Sequence, residues 1–358
     1  MSGPAAATPS RPEEPVLLAA LRQAAASVGG PELAGVELVP GGRIHVEPLG
    51  GVVRRLFAGT SLFARLGFHS VRSLYQRELQ ALVAAEVLAR PWAVATAARK
   101  RAMREAADLA VAKAFGGAVL SSALRREAEA AEAFARNAWG AATALRKAGL
   151  PCTDLSSCLH AMDAATPEVL RRDRLALRMA RPESVHRETY AARIARIANV
   201  ASTAAERADR PATDWLRDAA ATSAGITRAH VARVEAHLAS MGDPAGPDLP
   251  IRPGAEKAFC EGIALHDAAS ELSQRKSDDA NAAALQALQK LEQALGSDHP
   301  MLVPALANAA RASDRLGNPA GAREPLERAL AIHTAQADAD PNETLRLRTL
   351  LGRVGEAV

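Results

Sequence analysis

Aromatic residues are nearly absent, at 3% of 358 residues. The β-branched and aromatic residues that favour strands are therefore scarce, which argues against an all-β or a parallel α/β enzyme. Cysteine is also rare. Three in so long a chain cannot form a disulfide scaffold and fit a reducing compartment. Long apolar runs are missing too. The longest uncharged stretch is the twelve residues His299 to Ala310, short of the roughly 20 apolar residues a spanning helix needs. Lysine is sparse, with 6 against 38 arginines, a bias that goes with the alanine richness and is not by itself a nucleic-acid signal. Catalytic signatures are lacking as well: there is no P-loop, no dinucleotide-binding glycine pattern after a strand, no HExxH and no GxSxG. No cofactor and no metal is called for, and an enzyme is expected only in a class without recognisable motifs.

What the chain has is alanine, 84 of the 358 residues, the best helix former. The expectation is an all-α protein: an Ala-rich bundle with one small β-hairpin, followed by a short α-solenoid. Residues 1–15 carry four prolines and read as a disordered leader, with cytoplasm as the default location. Residues 16–241 form the helical body. Within it Val36 to Pro48 alternates apolar and polar around Pro40-Gly41-Gly42, the one hairpin signal. Residues 50–68 hold half of the six phenylalanines and read as bulk for the core rather than a membrane-surface segment. Helices are expected over Ser70–Arg90, Pro91–Phe115, Ala118–Ala148, Glu168–Arg181 and from Pro182 toward Asp209. Residues 242–254, with four prolines and three glycines, read as the linker to a tail over 255–358. Charge divides with it: +7 before residue 251 and −3 after, summing to +4.

The tail repeats itself. Asp298-His299-Pro300 returns as Asp340-Pro341, each after a helix with an apolar patch. The intervening unit resembles the tetratricopeptide repeat, in the roughly 42-residue variety of kinesin light chains. Ala305, Leu306, Asn308 and Ala309 carry the first-helix pattern, Gly317 the turn, and Leu326, Glu327, Arg328, Ala329, Leu330 and Ile332 the second helix. A weaker copy runs from Ala255 to Leu295, and Thr344 to Ala357 reads as the first helix of a capping third. The resemblance implies stacked helical hairpins with a concave face for a protein or peptide partner, or for self-association. It places Asn308, Arg311 and Arg315 on that face, with Arg346 and Arg348 extending it. The expected function is a non-enzymatic interaction adaptor.

A second pattern lies in the body. Arg217 to Leu238 resembles the helix-turn-helix of bacterial repressors, with Ala221, Gly225, Ile226, Thr227, Val231 and Val234 at its characteristic positions. That resemblance implies a turn at Gly225 and an outward face of Arg228, His230, Arg233 and His237 on DNA, the alternative reading. Cys152, Cys158 and His160 follow one another as C-x5-C-x-H. The spacing is not the usual one for zinc, and they read as buried thiols and a surface histidine.

Overall fold

In a computed structural model of the chain, residues 14–48, 62–89, 96–182, 188–201, 209–242, 254–336 and 339–356 are described. Residues 1–13 of the expected leader, the linker core 243–253 and the first part of the aromatic segment, 50–61, lie outside them, whereas Pro15, expected in the leader, opens a helix. The described residues are mostly helical, with one small sheet. In chain order they form α1 (Pro15–Ser27), β1 (Leu33–Val39), β2 (Ile44–Pro48), β3 (Leu62–Gly67), α2 (Phe68–Ser73), α3 (Gln76–Leu88), α4 (Ala97–Phe115) and α5 (Gly117–Lys147). Next come α6 (Leu155–Ala165), α7 (Glu168–Ala180), α8 (Tyr190–Ile197) and α9 (Ala219–Ser240). The last five are α10 (Ala255–Gln274), α11 (Asp279–Leu295), α12 (Val303–Arg315), α13 (Pro319–Thr334) and α14 (Pro341–Glu356). No single described helix is long and apolar enough to cross a membrane.

Internal packing groups the chain into two units: Met1–Ala135 with Leu175–Ile226, and Arg136–Arg174 with Thr227–Val358. The tail thus shares its unit with α6 and with residues on both sides of the proline-rich run, so the packing does not divide at 242–254.

In unit one the two strands expected as a hairpin are present, but they do not pair with each other. The sheet order is β1-β3-β2, with β3 parallel to β1 and antiparallel to β2. The reason lies in the side chains of β3. Leu62, Ala64 and Leu66 are fully buried on one face. Arg65 on the other reaches Glu37 of β1 at 3.2 Å and Glu47 of β2 at 3.1 Å. A central strand with an apolar inner face and a cation between two carboxylates satisfies both neighbours. The described end of the aromatic segment is therefore the heart of a sheet, and Phe68 is buried in the core behind it.

That core is aliphatic: Leu17 and Leu21 of α1, Leu79 and Val83 of α3, and Leu120 and Leu124 of α5, with Tyr190 of α8. Two buried acids tie it together. Glu127 accepts the Ile44 amide at 2.9 Å and the Tyr190 hydroxyl at 3.4 Å. Asp108 takes a two-pronged grip from Arg193, at 2.9 and 3.0 Å. Burial disfavours the Arg193 charge, but facing Asp108 holds its pKa above the ordinary arginine value.

In unit two α6 packs on α10, and α10 to α14 pack each on the next. The seam is built of small residues, with Ala268 and Ala269 of α10 against Ala280, Ala283, Ala284 and Ala287 of α11. A Cβ at Gly262 would stand 2.7 Å from the Leu291 side chain and 3.1 Å from its backbone nitrogen, so glycine lets the two helices touch. Gly317 ends α12 at φ +73°, the left-handed conformation that closes a helix.

Candidate functional site

The helices of the tail fall close to where the sequence puts them. The weak first copy is α10 and α11, the strong copy α12 and α13, and the capping helix α14. Each dipeptide that signalled the period opens a helical element. His299 Nδ1 accepts the Met301 amide at 3.2 Å, and Asp340 Oδ1 accepts the Asn342 amide at 2.9 Å. Two side-chain bonds join residues 42 positions apart. Asn308 Nδ2 meets His266 Nδ1 at 3.2 Å, and Arg315 donates to Ser273 Oγ at 2.7 Å. Positions 42 apart on α10 and α12 thus lie side by side at two points.

Between α10, α11 and α12 lies a concavity of about 270 Å³. Asn308, Arg311 and Arg315 line it, spaced i, i+3 and i+7 on one face of α12. Ser270 and Ser273 of α10 and Asn281 of α11 complete its polar wall, while Ala280, Ala284 and Ala312 form an apolar floor. Sequence reasoning found the α12 residues but missed Ser273, Asn281 and His266, which fall in the degenerate copy.

Charge is uneven here. Burial pushes Arg311 below the ordinary arginine range, and the like charges of Arg346 and Arg315 push it the same way. Glu343 opposes them but is committed to Arg346, bonded at 2.6 and 2.7 Å. The Arg311 Nε is buried without a hydrogen bond, and no carboxylate among the described residues pairs with that side chain. His266 is pushed down mainly by burial. Asp267 pulls the other way and Arg311 adds to the fall. Arg346 thus acts on the concavity through its field. Arg348 is exposed on α14 and does not line it.

The helix-turn-helix expectation is corrected. α9 runs unbroken from Ala219 to Ser240, with Gly225 in its interior and no positive φ there. One glycine costs a helix only about 1 kcal/mol against alanine, which the surrounding alanines absorb. Thr227 does not cap a second helix. It is buried, and its Oγ1 accepts the Leu155 amide at 3.1 Å. His230 is 6% exposed, with Trp139 edge-on at 6.4 Å, so it cannot reach a base. Arg228, Arg233 and His237 are exposed, but Trp139 lies 5.2 Å from His237 and the recognition helix that would present them does not exist as such.

Compared with known protein families, curated protein sequences and solved structures, the chain matches none.

Proposed function

We propose that the protein is a non-enzymatic interaction module that takes a segment of a partner protein into the concavity of α10, α11 and α12. The observation that carries this reading is the charge of Arg311, half-buried and paired with no carboxylate among the described residues, in a polar recess already lined by Asn308 and Arg315. Keeping a half-buried guanidinium whose Nε makes no hydrogen bond costs folding energy. A bound carboxylate supplies the missing counter-charge, and arginine's planar fork suits it. Asn308, held by His266, and Asn281 offer amide groups for the backbone of the same segment. The tetratricopeptide resemblance and the 42-residue register across α10 and α12 support the reading from the fold side. Self-association through an acidic segment of a second copy is the same chemistry and is an outcome of the test.

The test uses the full chain, because unit two needs α6 and the C-terminal half of α9 as well as the tail. A library of random peptides rich in Asp and Glu is passed over the immobilised protein. Enriched peptides are then titrated by calorimetry against wild type and the Asn308→Ala, Arg311→Ala double variant. Retention of acidic peptides with an affinity loss of at least about tenfold in the variant is expected, the worth of one charged contact. Equal binding by both proteins, or no enrichment, overturns the reading.

A further inference from the structure

Among the described residues that line the recess of α10, α11 and α12 there is no Asp and no Glu. Two of them are arginines one helical turn apart on α12, Arg311 and Arg315, and side chains spaced i, i+4 are neighbours. Neither pairs with a carboxylate among the described residues. Arg311 is half-buried with its Nε unbonded, while Arg315 is exposed and gives one N–H to Ser273 Oγ at 2.7 Å. Their charges repel, and Glu343, the carboxylate that acts on Arg311, is already bonded to Arg346. Gln274 of α10 and Asn281 of α11 line the same recess with side-chain amides that make no hydrogen bond among the described residues.

We propose, building on the interaction reading of the same recess, that the group it takes is the phosphate of a phosphorylated serine or threonine in the partner's segment. Charges and donors decide for phosphate over carboxylate. A carboxylate brings one negative charge and two oxygens in a single plane. Bound to Arg311, it leaves Arg315 unanswered and does not reach donors on α10 and α11 as well. A phosphate monoester carries about −1.5 to −2 charge at pH 7 and three strong acceptor oxygens. That charge answers both guanidiniums, and tetrahedral oxygens face several walls at once.

The walls hold the donors such an anion needs. Arg311 Nε, the N–H groups of Arg315 not used on Ser273, the Ser273 hydroxyl and the Asn281 amide come from three helices. Bonds from a guanidinium to phosphate are charge-assisted and belong to the strong class. The recess, about 270 Å³ over a floor of Ala280, Ala284 and Ala312, has space for a phosphate and the short side chain that carries it. No aromatic side chain lines it to receive a tyrosine ring, so serine or threonine is the bearer.

The experiment offers immobilised full-length protein three peptide libraries with the same randomised flanks and serine, phosphoserine or glutamate at the centre. Retained pools are then titrated by calorimetry. Phosphoserine is expected to bind at least about tenfold more tightly than glutamate, the worth of one further charge-assisted bond, and glutamate more tightly than serine. Arg315→Gln is expected to remove that tenfold advantage while costing the glutamate pool little. Inorganic phosphate is expected to compete weakly, because it lacks the backbone of the segment. Equal binding of phosphoserine and glutamate overturns the proposal and leaves the acidic-segment reading standing, whereas no retention of any library overturns both. Inorganic phosphate competing as strongly as the peptides would show a site for the free anion and overturn the role of a segment. A phosphoserine advantage that Arg315→Gln leaves intact would place the phosphate outside this recess. The wild-type comparison of the three libraries decides the matter even if the variant fails to fold.

Discussion

The two units fill their interiors with different side chains. Unit one gathers Leu, Val, Ile and Tyr around a three-stranded sheet. Unit two packs helix on successive helix, and seven of the ten buried residues in its main seam are alanine. Bulky side chains fill the interior where a sheet packs its apolar face on helices, the layer arrangement that closes one hydrophobic core. Small ones are needed where helices lie closely against one another. The difference extends to charge. Unit one buries Asp108 with its counter-ion Arg193, whereas unit two leaves Arg311 facing other arginines. A buried pair satisfied internally holds a structure in place, and a buried charge left facing a recess is available to something else.

The largest expected effect tests that contrast in charge. Asp108→Ala strands Arg193 in the core of unit one and should cost about 3–5 kcal/mol, read from urea unfolding. A loss below about 1 kcal/mol would show that the pair is not desolvated as the structure has it. Next comes the contrast in bulk. Leu66→Ala in the central strand should cost about 2–5 kcal/mol, while Ala284→Gly in the α11 seam should cost only about 0.5–1 kcal/mol. Comparable losses at the two sites would erase the distinction between the cores. Gly262→Ala should instead destabilise unit two by about 1–3 kcal/mol, since the added carbon meets the Leu291 backbone.

A smaller effect has the opposite sign. Arg311→Met removes the uncompensated charge but keeps the stem, and should raise stability by about 1 kcal/mol while abolishing acidic-peptide binding. Thermal melts with and without peptide check it. A variant that is both less stable and still binds would place the charge elsewhere.

The smallest effect is with pH. Burial pushes His230, His266 and His299 of unit two below the ordinary histidine value. The unfolded chain then binds more protons than the folded one, so stability is full above about pH 6.5 and is lost as pH falls below it. Hydrogen exchange followed from pH 7.5 to pH 5 should show α10 loosening, and His266→Gln should flatten its part of the slope. An unchanged profile in that variant would mean that His266 is not the group titrating.

Helix content, the bounds of α10, the turn at Gly317 and the three α12 residues at the recess were legible in the chain, and the starts of α11 and α14 to within a few residues. Alanine content, a proline or glycine at most of the breaks and a spacing of about 42 residues are local signals, and local signals survive without a fold. The sheet order was not legible. Pro40-Gly41-Gly42 announces a reversal of the chain, but which strand lies beside which depended on β3 burying Leu62, Ala64 and Leu66 in the core, a contact with residues far away in sequence. Gly225 misled for a related reason. A glycine permits a turn without requiring one, and the burial of Thr227 and His230 along one continuous face decided for a helix.

By itself, then, the sequence determined that the chain is mostly helical, because propensity and periodicity act over a few neighbouring residues. The tertiary structure alone decided that β3 lies between β1 and β2 and that Arg311, among the described residues, pairs with no carboxylate. Both depend on distances across elements far apart in sequence, and those distances are set by which side chains fit between them.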